Sequence, residues 1–286
     1  MSLLSTSRAV AARAVPFSVR RRLRYYRRFG RRLSLRHPRR FSEKVTWRIL
    51  YDRRDLLLGT CDKLQMKEHA QRTAGDLVRV PRTYWHGTDV GELADVDLPA
   101  RWVLKPNHRT GLVLFGEGRA DAADLRLRTR GWTDAAHWRI TREWAYSDAA
   151  PELVVEEFIG TGEAPADYKV FVFDGVPRMV QVHTSRFGRH ESRQYTPEWE
   201  PITWSAGYPA GPDVARPQRL VEMLGAASAM AAGFDMLRVD FYEIDGVLWF
   251  GERTPYPGAG LVRWELPLDE LMGNWWTLPS RAAVRG

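Results

Sequence analysis

The segment LRVDFYEIDGVLWFGERT (Leu237 to Thr254) carries the densest chemistry in the chain. Asp245-Gly246 is a two-residue hairpin signal, so the flanking residues pair antiparallel. Asp240 lies five positions before the turn pair and Gly251 five after it, with Glu252 one further along. The two carboxylates should therefore sit close, although a simple register needs a bulge to put them on one face. Arg238 alternates in phase with Asp240, so their side chains share a face. Two carboxylates beside a guanidinium suit Mg²⁺ bridging nucleotide phosphates. The competing reading, an exposed hairpin of solvated charges, is weakened by the apolar company of Val239, Phe241, Trp249 and Phe250.

Other segments offer weaker signals. RWVLKPNHRTG runs a strand out through Lys105 into a loop closed by Gly111. A lysine there can neutralise phosphate while loop N–H groups cover it, but the spacing is neither a Walker A loop nor G-x-G-x-x-G. VVEEFIGTGE places Glu156 and Glu157 on an apolar strand. Such a strand can offer its backbone to an adenine edge, and a carboxylate there can accept from the exocyclic amine or ribose. No G-x-S-x-G elbow or H-E-x-x-H pair is present, and His108, His183 and His190 lack a helical metal spacing, so they read as polar contacts.

These residues need elements to hold them. FSEKVTWRILYD predicts a helix capped by Ser42, and a second runs from Thr60 or Cys61 to Ala74, stopped by Gly75. LVRVPRTYW reads as a short strand followed by proline. RWVLKPNH and GLVLFGEGR form a hairpin around Pro106–Gly111, and residues 121–149 are helical in part. From 152 onward, apolar and aromatic strands alternate with Asp-Gly turns at Asp174-Gly175 and Asp245-Gly246, interrupted by one strong helix across Arg216 to Phe234. This is a mixed α/β pattern with antiparallel hairpins, not the βαβ alternation of a dinucleotide-binding sheet.

Composition adds a sharp asymmetry. Of 43 basic residues, thirteen arginines fall within residues 1–42, which hold no acid; the remaining thirty face 35 acidic residues, so the body is acidic. The arm cannot build a core of its own. It reads as a solvated extension or as a contact for anionic lipid or an acidic polymer. No zinc-finger spacing or RNA-binding aromatic signature supports nucleic acid. No apolar run spans a bilayer and no cleavable leader is evident, which points to a cytoplasmic protein, peripheral at most to the inner membrane face. Cys61 is the single cysteine, excluding an internal disulfide and reading as a small hydrophobe.

Taken in order, the lysine strand, VVEEF, DYK and the R-V-D…G-E hairpin resemble the ATP-grasp superfamily. More narrowly, FSEKVTWRILYD, CDKLQMKEH, WVLKPNH, VVEEFI, DYKVFVFDGVPRMVQV, LRVDFYEIDG and FGERTPYPGAG resemble the teichuronopeptide-biosynthesis (TupA-like) ATP-grasp family, over roughly residues 40–265. The resemblance implies an α+β ATP-grasp fold in which two antiparallel-sheet subdomains grip the nucleotide. The expected divisions are arm 1–41, pre-grasp helical region 42–100, small subdomain 101–160 and C-terminal subdomain 161–286.

The resemblance also implies roles. Lys105 would contact nucleotide phosphates, and Asn107, His108, Arg109, Thr110 and Gly111 would form a flexible phosphate lid. Glu156, with Glu157 beside it, would face the adenine, with Phe158 and Ile159 along the purine and Glu163 at the ribose. Lys169 is a second phosphate contact and Arg238 a phosphate or acyl-phosphate contact. Asp240 and Glu252 would be Mg²⁺ ligands, with Thr254 where many relatives carry asparagine. His183, Arg186 and Arg193 are candidates for recognising the substrate carboxylate. The implied activity is an ATP- and Mg²⁺-dependent carboxylate–amine ligase acting on an acidic small molecule or glycopolymer and an amine, in cell-surface polysaccharide or peptide biosynthesis. A kinase on the same fold and a non-catalytic anionic-polymer module are the alternatives.

Overall fold

Two type I′ turns organise most of the chain. Asp174 and Gly175 have φ of 48° and 77°, and Asp245 and Gly246 have 51° and 73°, the left-handed pair that matches strand twist. The first joins β5 (Asp167–Phe173) to β6 (Val176–Thr184), and the second joins β9 (Met236–Ile244) to β10 (Val247–Thr254). With β7 (Glu191–Tyr195) and β8 (Pro201–Ile202) they form a six-stranded antiparallel sheet in the order β10-β9-β5-β6-β7-β8. A second sheet has the order β1-β4-β2-β3, from β1 (Thr83–Gly87), β2 (Arg101–Pro106), β3 (Leu114–Glu117) and β4 (Leu153–Glu157). The computed structural model describes residues 15–136, 138–160, 165–184 and 190–284.

Alternation gives the large sheet two unlike faces. Val170, Val172, Val180, Val182, Leu237 and Val239 are fully buried and share a core with Leu220, Met223, Ala227 and Met230 of the helix Leu220–Met230. The opposite face is divided. Its Phe171 and Phe173 meet Phe41 edge-on, at 5.9 and 6.1 Å between ring centroids, while its other end carries Asp167, Lys169, Asp240, Gln181 and His183. The small sheet has its own core of Trp85, Leu93, Trp102, Leu104, Leu153 and Val155.

Helices fix the hairpins. The first three in chain order are α1 (Phe17–Phe29), α2 (Phe41–Tyr51) and α3 (Lys63–Ala74). Arg48 of α2 is wholly buried. Its Nη2 meets Asp235 Oδ2 at 2.6 Å, and its Nη1 donates to the carbonyls of Met236 and Pro255 at 2.8 and 3.2 Å. These contacts clamp the start of β9 to the exit of β10. Arg54 closes the network, meeting both Asp52 and Asp235.

Three sequence expectations change. Ser42 does not cap α2: the helix starts at Phe41, Glu43 accepts the Arg39 and Arg40 N–H groups, and Ser42 donates its N–H and hydroxyl to Asp269. The strand near Pro81 follows the proline rather than preceding it, because Thr83–Gly87 finds a ladder on β4 whereas Arg79 makes only an isolated bridge to Trp249. The arginine arm, from residue 17 on, is not a solvated extension. Tyr25, Leu33 and Leu35 interleave with its arginines and are buried with Trp47 and Val284. Arg21 donates to the Ala259 carbonyl, Arg28 to that of Leu261 at 2.9 Å, and Arg31 pairs with Asp269 at 2.6 Å. Residues 1–14 lie outside the described residues.

Candidate functional site

The bulge that the spacing required is present. The β9–β10 ladder runs in register to Phe241↔Phe250, shifts, and resumes with Asp240↔Glu252. Gly251 is the extra residue. A Cβ there would lie 3.0 Å from the Asp240 carbonyl oxygen and 3.1 Å from the Tyr242 ring, so any side chain would push on the Asp240 backbone or the Tyr242 ring.

Register then carries polar side chains across the sheet. Glu252 pairs with Asp240, Asp240 with Lys169, Lys169 with Gln181 and Gln181 with Gln194. One row over, Asp167 pairs with His183 and His183 with Ser192. Period-two alternation puts both rows on one face. Asp167, Gln181, His183, Ser192, Gln194 and Asp240 are all buried. Such a polar floor is held by charge pairing at one end. Arg238 grips Asp240 bidentately, Nε to Oδ1 at 2.6 Å and Nη2 to Oδ2 at 2.7 Å, and reaches Glu252 at 2.8 Å. Lys169 bonds Asp240 and also Asp167, the latter at 2.7 Å. Burial alone would raise the Asp240 pKa, but Arg238 and Lys169 outweigh it and hold it at about 2. The Arg238 guanidinium is held charged: burial disfavours it, and Asp240 and Glu252 more than compensate.

At the other end, burial, then the Lys169 ammonium and the neighbouring His190, push His183 down to about 2, so it is neutral at physiological pH. Its Nδ1 lies 2.7 Å from His190 Nε2, and Tyr208 contacts both rings. The Gln181 side-chain amide nitrogen on this floor is buried with no hydrogen-bond partner among the described residues, so it is open to a polar partner.

The small sheet contributes a second cationic cluster. Lys105 on β2 and Lys67 on α3 both pair with Glu156, the latter at 2.7 Å. Burial would raise the Glu156 pKa, and the two lysines bring it below the ordinary value. Lys63, one turn before Lys67, donates to the carbonyls of Pro106, Asn107 and Arg109 at 2.7, 3.1 and 2.6 Å. Burial, then Lys105, lower its pKa to about 8, opposed by Glu252 and Glu156.

The other expected site residues lie in varied surroundings. The Glu156 carboxylate pairs with Lys105 and Lys67. The loop after β2 is anchored at its start: Asn107 is buried, its amide donating to Asp62 at 2.7 Å and to the Ala150 carbonyl at 3.1 Å. His108 is buried, with Nε2 3.1 Å from the Asp134 carbonyl, and Arg109 donates to Gly131. Only Thr110 and Gly111 are exposed. Glu157 is on the other face from Glu156 and accepts from the Arg82 N–H. Phe158 stacks under Arg101 at 3.8 Å and meets Phe115; Ile159 beside it is half-buried. Arg193 is turned off the polar floor, because it alternates with Ser192 and Gln194, and it pairs with Asp213 at 2.8 Å. Thr254 lies opposite Arg238, its hydroxyl accepting the Tyr256 N–H at 3.2 Å. Glu163 and Arg186 lie outside the described residues.

Sequence reading missed Lys63, Lys67, Asp62, Arg101, Asp167 and Gln181. The i, i+4 spacing of Lys63 and Lys67 was a usable signal for one helical face. The others needed the register. Cys61 is buried with its thiol pKa raised by burial, so it serves as packing.

The donor set can be tested against Mg²⁺. Asp240 and Glu252 are two carboxylates within hydrogen-bond reach of one guanidinium. Among the described residues no three His, Cys, Asp or Glu side chains gather to hold a metal ion. Mg²⁺ ordinarily takes one or two carboxylates and fills its octahedron with phosphate oxygens and water. The residues therefore fit Mg²⁺ that arrives with a nucleotide.

Comparison with known proteins gives a family. The sequence profile described as TupA-like ATP-grasp matches residues 43–276. No curated protein matches the chain. Among solved structures, D-alanine–D-alanine ligase from Bacillus anthracis is similar at 18% identity and a TM-score of 0.43, covering 78% of this chain and 65% of that one. L-amino acid ligase from Bacillus licheniformis is similar at 16% identity and a TM-score of 0.45, covering 70% of this chain and 44% of that one. The chain thus spans less than two thirds of either protein's length.

Proposed function

The chain belongs to the TupA-like ATP-grasp family, and we propose that it is an ATP-dependent ligase joining a carboxylate to an amine through an acyl phosphate. The observation that carries this reading is the convergence of Lys169 and Arg238 on Asp240, beside Glu252 and continuous with a buried polar floor.

Asp240 and Glu252 would hold Mg²⁺, which when bound supplies positive charge against the phosphate oxygens. Lys169 and Arg238 stand where charge spreads during phosphoryl transfer, already oriented by carboxylates, so little reorganisation is needed. Lys105, paired with Glu156, would meet the nucleotide phosphates from the small sheet, under the N–H groups of the loop ending at Thr110 and Gly111. Arg101 and Phe158 offer a flat face for the purine. Gln181 and Gln194 extend from Lys169 away from the hairpin and, with Ser192 and neutral His183 of the neighbouring row, would orient the acid and amine. Burial of this floor excludes water, which an acyl phosphate requires. An acidic glycopolymer or peptide-like acceptor in cell-surface biosynthesis is the substrate class that the family resemblance favours.

The test is ADP release screened against pools of amino acids and uronic-acid glycans. Release that requires both an acid and an amine supports the ligase. A stable phosphorylated product in the absence of amine would make it a kinase. No thermal shift with Mg-ATP, or a shift surviving Asp240→Asn with Glu252→Gln, would leave only a binding module.

A further inference from the structure

Helix α1 presents an apolar stripe to solvent. Val19, Leu23 and Tyr26, with Val15 just before the helix, are 51%, 48%, 54% and 39% exposed. Their spacing of four, four and three places them along one face. The opposite side is held down by buried Arg21 and Tyr25, so this stripe is not the helix's docking face. At 100° per residue, exposed Arg22 borders the stripe on one side, and exposed Arg20, Arg24 and Arg27 lie on the other. Arg22 also lines a concavity of about 680 Å³, together with Arg36, Arg281, Trp47, Tyr51 and Leu278; no acid lines it. No helix of the described residues is long and apolar enough to cross a membrane.

We propose that α1 lies on the surface of an anionic phospholipid bilayer, with its stripe at the acyl boundary and its arginines on lipid phosphates. Charge complementarity selects this occupant. A second copy of the chain would bring arginine flanks against each other. A soluble acidic polymer would satisfy the arginines and leave the stripe in water. An anionic bilayer meets both needs, apolar area below and negative charge at headgroup level. The consequence reaches the catalytic hairpin: Arg21 and Arg28 of the same helix hold the carbonyls of Ala259 and Leu261, in the segment that follows β10. Membrane seating therefore fixes the orientation of the site toward a surface-bound substrate.

The full chain is sedimented with vesicles of phosphatidylcholine, alone or with phosphatidylglycerol. Binding is expected to the phosphatidylglycerol vesicles, weaker by about fivefold for each arginine contact removed or screened. Val19→Glu with Leu23→Glu is expected to weaken it at least about tenfold with an unchanged thermal midpoint, because both side chains are exposed. Wild-type affinity in that variant would overturn the proposal. If the double variant misfolds, Tyr26→Trp decides: the emission of the added indole, taken as the variant spectrum minus that of the wild type with its twelve tryptophans, must shift to the blue on adding phosphatidylglycerol vesicles, and an unshifted difference spectrum overturns the proposal. Binding to soluble polyglutamate that these vesicles fail to displace would make an acidic polymer the partner and overturn it as well. None of these readouts involves nucleotide, so they stand apart from the ligase reading.

Discussion

Asp240 and Glu252 face each other across the β9–β10 ladder only because Gly251 is squeezed out of register between them. A Cβ on Gly251 would press on the Asp240 carbonyl oxygen at 3.0 Å. Gly251→Ala should therefore lower stability by about 1–3 kcal/mol, the usual range for overpacking. ADP release should fall by at least about tenfold as the carboxylates shift apart. Urea unfolding and an ADP-release assay check the two effects; destabilisation with undiminished turnover would mean that the pairing is dispensable.

Lys63 ties down the loop after β2 through three carbonyls. Lys63→Met removes every donor and leaves the carbonyls of Pro106, Asn107 and Arg109 short of partners. The expected loss is about 1–3 kcal/mol, with a raised KM for ATP. Hydrogen exchange at residues 107–111 should quicken in the variant, which a purely electrostatic role for Lys63 would not produce.

Acid should weaken the fold in two stages. His183 stays neutral in the folded chain down to about pH 2, whereas in the unfolded chain it gains a proton below about pH 6.5. The unfolded state then binds more protons, so stability falls as pH drops below that value, by at most about 1.4 kcal/mol per pH unit for this group. Asp240, held at about 2, contributes stability that is present above its unfolded value of about 3.9 and lost as pH falls toward 2. His183→Gln should reduce the upper stage, of which His69, pushed down to about 4 chiefly by burial, keeps a share, and should leave the lower one. Urea unfolding across a pH series separates them.

The Arg48–Asp235 pair sets the angle of the hairpin from behind. Arg48 is fully buried, and its guanidinium also stacks on Trp276 at 4.4 Å. Asp235→Ala leaves buried Arg48 with only the longer Asp52 contact at 3.6 Å and removes an acceptor from Arg54 and from the Trp276 indole N–H, so it should destabilise the chain by roughly 3–5 kcal/mol. Replacing Arg48 and Asp235 together by apolar residues should recover much of the loss, measured by thermal unfolding of both variants.

Short-range signals in the chain settle the hairpins and their charges. Asp174-Gly175 and Asp245-Gly246 demand φ above zero, so turn chemistry placed β5–β6 and β9–β10, and counting from the second turn already called for a bulge beside Asp240 and Glu252. Local period also set Arg238 on the face of Asp240. Tertiary structure decided the partners. Glu156 became a bridge between Lys105 and Lys67 because α3 packs against the small sheet, a contact between residues 89 positions apart in the case of Lys67. Arg193 left the site because the β6–β7 register fixed its face, and α1 came off the list of solvated segments because Tyr25, Leu33 and Leu35 found Trp47 and Val284. Turn and alternation signals act over a few residues and survive in any context. Which carboxylate meets which cation depends on how separate elements pack, and that free-energy balance is written only in the assembled core.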